Sequence, residues 1–293
     1  MKKIAIFVAS AMIAISCSGQ DNTSNTSTYA GEEKIEEKTL SSIAEGQHRK
    51  KEEKARDQFR HPAETLTFFG VQNDMTVVEI WPGGGWYTNV IAPYLATGEG
   101  VYYAASFDPN SGDRARQAIQ RFQDKFQSND DLYGDVRLTS LDGTIAPEGS
   151  ADMVLTFRNV HNWMQNGKAK DNFNKFFVAL KPGGVLGVVE HRASEEGEST
   201  DGTDGYVKES TVRNYAEAAG FIFEESSEIN SNALDTKDHP FGVWTLPPVR
   251  RSSKVRGVAE PGFDREKYDA IGESDRMTLK FRKPLGADGA LLE

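Results

Sequence analysis

Two runs of polar and ionisable residues stand directly behind apolar stretches of the chain. Arg158-Asn159-Val160-His161-Asn162-Trp163 follows the apolar run Ala151 to Phe157, and Glu190-His191-Arg192 follows Val185 to Val189. Polar side chains crowded at the end of a buried segment are costly unless they bond to one another or to a ligand. Histidine titrates near neutrality, so His161 is a candidate general base, with Arg158, Asn159 and Asn162 as its companions. Glu190 and His191 can act as an acid–base pair. A lone histidine more often just ties down a loop, and Glu190-His191-Arg192 would equally close a sheet edge as an ion-pair network.

A third run, Glu79-Ile80-Trp81-Pro82-Gly83-Gly84-Gly85-Trp86-Tyr87-Thr88, joins a β-rich stretch to a helix-like one through glycines. Glycine lets backbone approach a ligand and take positive φ. The following helix start offers free N–H groups. At the carboxyl end of a central strand this is a ligand position in open α/β sheets, though a tight turn alone would use the same residues.

The elements that must position these runs alternate along the chain. Strands are predicted at Thr76 to Ile80, Val101 to Ser106, Val136 to Ser140, Ala151 to Phe157, Val185 to Val189 and Phe221 to Ser226. Helices are predicted at Ala63 to Phe69, Tyr87 to Leu95, Arg114 to Phe126, Lys170 to Leu180 and Thr211 to Ala219. Lys181-Pro182-Gly183-Gly184 reads as a turn, and Gly242 to Leu246 and Arg276 to Phe281 as closing strands that can add an antiparallel edge. Such alternation predicts a doubly wound α/β fold with a mostly parallel sheet covered on both faces. The charged stretch 32–62 predicts one or two surface helices leading into a domain over 63–293, with His48-Arg49-Lys50-Lys51 as a solvated face.

With this order of segments the chain resembles the class I S-adenosylmethionine-dependent methyltransferases, and in particular a bacterial group of predicted methyltransferases with the run PGGGWYT. The resemblance covers roughly Arg56 to Pro284 and implies a Rossmann-like fold with S-adenosylmethionine as cofactor. The superfamily loop reads acid-x-Gly-x-Gly-x-Gly. Matched here, Glu79 is the acid, Gly83 and Gly85 are the second and third glycines, and Trp81 replaces the first. The resemblance makes Glu79, Trp81, Gly83, Gly84, Gly85 and Tyr87 cofactor-loop residues. It makes Asp108, past the second strand, the candidate for the ribose hydroxyls, although the expected acid position falls near Ala105 or Ser106. It makes Asp142, after the third strand, the candidate for the adenine amino group; an Asp-Gly turn is the plain alternative. Trp81, Trp86, Tyr87 and Trp163 would shelter a positive sulfur through their aromatic faces.

Other residues are weaker candidates. Tyr206 falls beside the loose acidic stretch Gly197 to Gly205, which reads as a mobile lid. His239 in Asp238-His239-Pro240 can overhang the cleft or simply pack. Arg56, Arg60 and His61 can cap the cofactor site from outside.

The N-terminus reads as an address. Met1-Lys2-Lys3 precedes the apolar run Ile4 to Ile15, which is short for a membrane span and suited to a signal peptide core. Ala14-Ile15-Ser16-Cys17 resembles the lipobox of bacterial lipoproteins, which implies a signal peptide over 1–16, lipidation of Cys17, export, and a membrane anchor on the periplasmic side or in the cell envelope. Ordinary cleavage leaving a free thiol is the alternative. Residues 17–31, polar and poor in apolar side chains, read as a flexible tether.

Composition narrows the function. With 34 Lys and Arg against 44 Asp and Glu the net charge is -10, which argues against a nucleic-acid partner. The single cysteine excludes an internal disulfide and a thiolate zinc site, and the 5 histidines form no ligand-spaced pair, so no metal is expected. The expected activity is methyl transfer to a small molecule or an envelope component. The competing readings are a non-catalytic exported binding module on the same fold and a nicotinamide oxidoreductase; the last lacks the GxGxxG spacing and the ribose acid. Oligomeric state is not readable from the chain.

Overall fold

A computed structural model describes residues 38–196, 201–255 and 257–286. The expected signal peptide over 1–16, Cys17, the expected tether over 17–31, residues 32–37 and the start of the acidic loop (197–200) lie outside them. Among the described residues no helix is long and apolar enough to cross a membrane.

Seven strands form one sheet in the order β3-β2-β1-β4-β5-β7-β6. They are β1 Thr76–Ile80, β2 Val101–Ser106, β3 Val136–Ser140, β4 Ala151–Phe157, β5 Leu180–His191, β6 Ile222–Ser227 and β7 Arg276–Arg282. β1 pairs parallel with β2 and β4, β2 with β3, and β4 with β5. β7 runs antiparallel between β5 and β6. The chain order reverses at β1, so the β1 lip lies at a topological switch point.

The period of two in β1 sorts its side chains. Val78 and Ile80 enter one core cluster with Trp163, Phe173 and Phe176 from α8 Val160–Gln165 and α9 Ala169–Ala179. Val77 enters the other with Val90, Ile91 and Leu95 of α5 Thr88–Leu95 and Phe122 and Phe126 of α6 Asp113–Phe126. Burying these branched and aromatic side chains on both faces is worth about 1.5–3 kcal/mol each. Short α7 Asp130–Tyr133 leads into β3, and α10 Glu209–Ala218 packs beside α9. α11 Arg265–Asp269 precedes the β7 lip.

Four expectations are corrected. The stretch before residue 62 is three short helices, α1 Leu40–Ala44, α2 Lys51–Lys54 and α3 Asp57–Arg60, followed by α4 Pro62–Phe69. Over its described residues it belongs to the packed body: Leu40, Ile43 and Ala44 are buried in the α5-side cluster. Arg49, expected to be solvated, is buried in a two-pronged pair with Asp57 at 2.7 Å, and His48 Nε2 meets the Asn89 carbonyl at 2.8 Å. Lys181 to Gly184 does not interrupt the sheet, because Gly183 at φ 77° lets β5 continue through it and pair with Lys283. Gly242–Thr245 is a 3₁₀ turn rather than a strand, held by a bond from the Phe241 amide to Thr245 Oγ1 at 2.9 Å.

Candidate active site

A cavity of about 640 Å³ opens at the carboxyl lip of β1, β4 and β5. Its wall includes Glu79, Trp81, Gly83, Gly84 and Tyr87 from the glycine loop and Arg158, Asn159, His161, Asn162 and His191 from the two polar runs. The structure thus gathers most of the sequence candidates into one place.

Glycine is required in the loop for two different reasons. Gly83 at φ 59° and Gly84 face open space, with nothing within 4 Å of an added Cβ, and their amides make no backbone hydrogen bond among the described residues. Gly85 at φ 77° has no such room: a Cβ there would lie 2.2 Å from the Phe126 ring. Glu79 props the loop from beneath. Its carboxylate accepts from Thr88 Oγ1 at 3.0 Å and Tyr102 OH at 2.5 Å. Burial pushes the Glu79 carboxyl up to about 7, against the pull of those two hydroxyls. Tyr87 stacks on Phe157 with centroids 3.6 Å apart and donates to the Arg60 carbonyl; burial raises its hydroxyl to about 12.

Glu190 organises the β4 and β5 lips. It is fully buried, and its Oε2 accepts from the Val160 amide at 2.6 Å, at the start of α8. Its Oε1 accepts from the His191 amide at 2.9 Å and faces His161 Nδ1 at 3.1 Å. A carboxylate only accepts, so Nδ1 carries the proton and Nε2 of His161 is left as a base. This carboxylate–imidazole pair is the arrangement that orients a general base. His191 differs. Its Nδ1 meets Ser274 Oγ at 2.5 Å, and burial, aided by Arg158 and Arg276, holds its pKa well below the usual histidine range. It stays neutral at pH 7.

His161, Glu190 and His191 offer one ligand atom each within 4.8 Å, close enough to hold an ion. Both Glu190 oxygens and both Nδ1 atoms are already committed, and Arg158 and Arg276 oppose a cation there. The Nε2 atoms of the two histidines remain without a hydrogen bond among the described residues.

Four arginines line the same cavity: Arg56, Arg60, Arg158 and Arg276. Glu273 pairs with Arg56 at 2.6 Å, with Arg60 at 2.8 Å, and with Arg276. Burial pushes the Glu273 carboxyl up, but the three guanidinium groups outweigh it and hold it at about 2. Arg158, at φ 62°, has no hydrogen-bond or ion-pair partner for its side chain among the described residues. Burial, then the charge of Arg276, lowers its pKa to about 10. Arg276, Glu273 and Ser274 were missed in the sequence; the signal was a charged run just before the last buried strand. Trp244, read in the sequence as part of a closing strand, also lines the wall, while Pro247 and Pro248 there had no recognisable signal.

Several expected contacts fall elsewhere. Asp108 is half-buried outside the cavity wall, where it caps a 3₁₀ turn by accepting from the Asn110 amide. Asp142 is exposed in its turn and does not line the cavity. Trp163 is buried in the core, so it shelters no ligand. The Trp86 ring is already covered by the guanidinium groups of Arg49 and Arg60, 5.0 and 4.9 Å from its centroid. Asn159 spends its amide on the Ile80 carbonyl at 2.9 Å, tying the β4 lip to β1. Tyr206 is buried against Asp235, not on a lid, and His239 bonds Asp235 at 2.7 Å away from the cavity.

Trp81 is the main departure. It takes φ 47°, where a side chain is strained, and its indole packs on Phe107 at 5.1 Å and on Trp163 at 6.0 Å. Its buried Nε1 has no partner among the described residues.

No protein-family model matches the chain, and no curated protein matches it. Solved structures do. The [4+2]-cyclase SpnF aligns with TM-score 0.53 at 16% identity over 78% of this chain and 81% of its own. Geranyl diphosphate methyltransferase, solved in complex with S-adenosylmethionine, aligns with TM-score 0.52 at 12% identity, over 78% and 86%. The chain has a methyltransferase fold. A sarcosine dimethylglycine methyltransferase-like protein from Galdieria sulphuraria agrees, with TM-score 0.51 at 14% identity, over 80% and 88%. At these identities the likeness concerns the fold, and that one of the three is a cyclase shows a methyltransferase fold carrying other chemistry.

Tested against an adenosyl sulfonium, the residues of this methyltransferase fold divide. The open Gly83 and Gly84 amides fit a ligand at the β1 lip. The ribose and adenine candidates do not, since Asp108 and Asp142 lie outside the cavity and Phe107, beside Asp108, lies under the Trp81 indole.

Proposed function

We propose that the protein is an S-adenosylmethionine-dependent methyltransferase acting on a small molecule or an envelope component. One observation carries this reading: the open glycine amides of Gly83 and Gly84 and the Glu190-oriented His161 line the same cavity, so a donor held at the loop would share it with a base. The cofactor would supply a methyl group on a sulfonium, and the difficult chemistry is its own. Gly83 and Gly84 hold and orient. His161 accepts the proton of the acceptor's nucleophile through Nε2, while Glu190 keeps the ring in the correct tautomer. The aromatic wall of Trp86, Tyr87, Phe157 and Trp244 excludes water. Positioning of this kind accounts for about 7–11 kcal/mol of barrier in well-oriented reactions. Export through the N-terminal segment and anchoring by a lipid on Cys17 belong to the same proposal.

Calorimetric titration of the chain with S-adenosylmethionine, S-adenosylhomocysteine and NADH tests it. Binding of the first two with no response to NADH is the expected result. Silence from all three at about millimolar concentration, beyond which affinity is weaker than 4 kcal/mol, would refute it.

A second reading, a non-catalytic ligand-binding module, is favoured by the packing of Trp81 on Phe107. Under it the cavity takes another ligand and the adenosyl compound never enters.

A further inference from the structure

We infer that the arginine wall of the cavity is a subsite for the phosphate or carboxylate group of an organic anion, and that this anion is the molecule on which the protein acts. The inference deepens the proposed function by giving its substrate class, and it rests on that reading only for the word substrate.

The charges are unbalanced at this wall. Arg56, Arg60, Arg158 and Arg276 bring four positive charges, with Glu273 and Glu190 behind them; of the other carboxyls on the cavity lining, Glu53 is already paired with Lys125 and Glu79 is held up to about 7 by burial. His191 adds none, since it is held neutral. Guanidinium groups are bidentate donors matched to carboxylate and phosphate. Their donors here are not used up. Arg56 Nη2, Arg60 Nη2 and Arg276 Nε are buried without an acceptor among the described residues. Buried polar groups are rarely left so, and each calls for an explanation. The Arg158 guanidinium lines the cavity without a partner among the described residues, and an anion there gives it an acceptor and gives the neighbouring arginines a countercharge.

Its place in the sheet separates this wall from the cofactor half. Arg158 stands at the β4 lip, and Arg276 opens β7 opposite His191 of β5. In the sheet order β4, β5 and β7 lie on one side of β1, while β2 and β3, which lead to Asp108 and Asp142, lie on the other. The anion therefore sits on the side of His161, not on the side where an adenosine would extend. Phe157 and Trp244 beside the arginines give it an apolar body to go with the charged head.

The test is calorimetry of the full chain with phenyl phosphate and benzoate, alone and after saturation with S-adenosylhomocysteine. Phenyl phosphate or benzoate should bind in low salt, and Arg158→Gln should weaken that binding at least about tenfold, as loss of a charge-assisted hydrogen bond does. Because Arg158 makes no side-chain pair, its variant should melt at the wild-type temperature; Arg56→Gln, at the cavity rim, is the second variant and should weaken binding likewise. No binding of either anion at about 10 mM, or unchanged affinity in both variants, would overturn the subsite. Displacement of the anion by S-adenosylhomocysteine but not by 5′-methylthioadenosine, which lacks the amino-acid carboxylate, would also overturn it, since the wall would then serve the cofactor. Anion binding with no response to S-adenosylhomocysteine leaves the subsite standing and removes the methyltransferase reading instead.

Discussion

The Trp81 indole lies 5.1 Å from the Phe107 ring, which stands just past the β2 lip, and both rings line the cavity beside the glycine turn. Among the loop residues, Trp81 is thus the bulk between the glycine turn and β2. Replacing it with glycine removes that bulk and a strained φ of 47°, worth about 1–3 kcal/mol, but also removes aromatic pairs worth about 0.5–1.5 kcal/mol each and a buried ring. Trp81→Gly should bind S-adenosylhomocysteine at least about tenfold tighter by calorimetry, with only a modest loss of stability in urea. Unchanged or weaker binding would mean that the indole is no obstacle.

The strand and helix pattern was legible because burial on both faces writes continuous apolar runs, and β2 and β4 fall where those runs do. The glycine loop and the β4 and β5 runs were legible because polar residues there interrupt an apolar context. What stayed hidden depends on distant pairing. Nothing local in Glu273-Ser274-Asp275-Arg276 says that Glu273 meets Arg56 and Arg60 more than 200 positions earlier in the chain. Likewise the charges around Arg49 read as solvated, since a buried pair with Asp57 shows only once α1 closes on α4 and α5.

Glu79 makes stability depend on pH in an unusual direction. Its folded pKa of about 7 lies above the ordinary 4.5, so the folded state holds its proton longer than the unfolded state does. Its contribution is full below pH 4.5 and is lost as pH rises through 7. The size is about 3 kcal/mol at most. His191, held neutral, works in the opposite direction, losing stability as pH falls below 6.5. Comparing wild type with Glu79→Gln cancels the histidine. The variant should gain relative stability between pH 5 and 8 in thermal melts, and a difference independent of pH would show that Glu79 ionises normally.

The two glycines of the loop should separate folding from binding. Gly85→Ala places a Cβ 2.2 Å from the Phe126 ring, a buried aromatic with nowhere to go, on a backbone at φ 77°. Overpacking and strain together predict a loss of about 2–4 kcal/mol in urea unfolding. Gly83→Ala carries a comparable backbone strain, but its Cβ points into open space. It should cost about 1 kcal/mol of stability while weakening S-adenosylhomocysteine or any other ligand held by the loop amides. If both variants lost stability equally and bound normally, the loop would be a turn and nothing more.

The Glu190–His161 pair makes a prediction that needs no substrate. With Glu190 Oε1 accepting from Nδ1, nitrogen NMR of the neutral His161 ring should show the proton on Nδ1 rather than on Nε2. Glu190→Gln offers Nδ1 either an amide oxygen or an amide N–H, so the tautomers should mix. Because Oε2 also holds the Val160 amide at 2.6 Å, the variant should lose about 1–3 kcal/mol of stability as well. His161→Ala leaves those backbone bonds intact. It should keep S-adenosylhomocysteine affinity while methyl transfer falls about 10²–10⁴-fold, the usual share of a general base. Equal loss of binding and turnover would place His161 in the ligand's seat rather than at the proton.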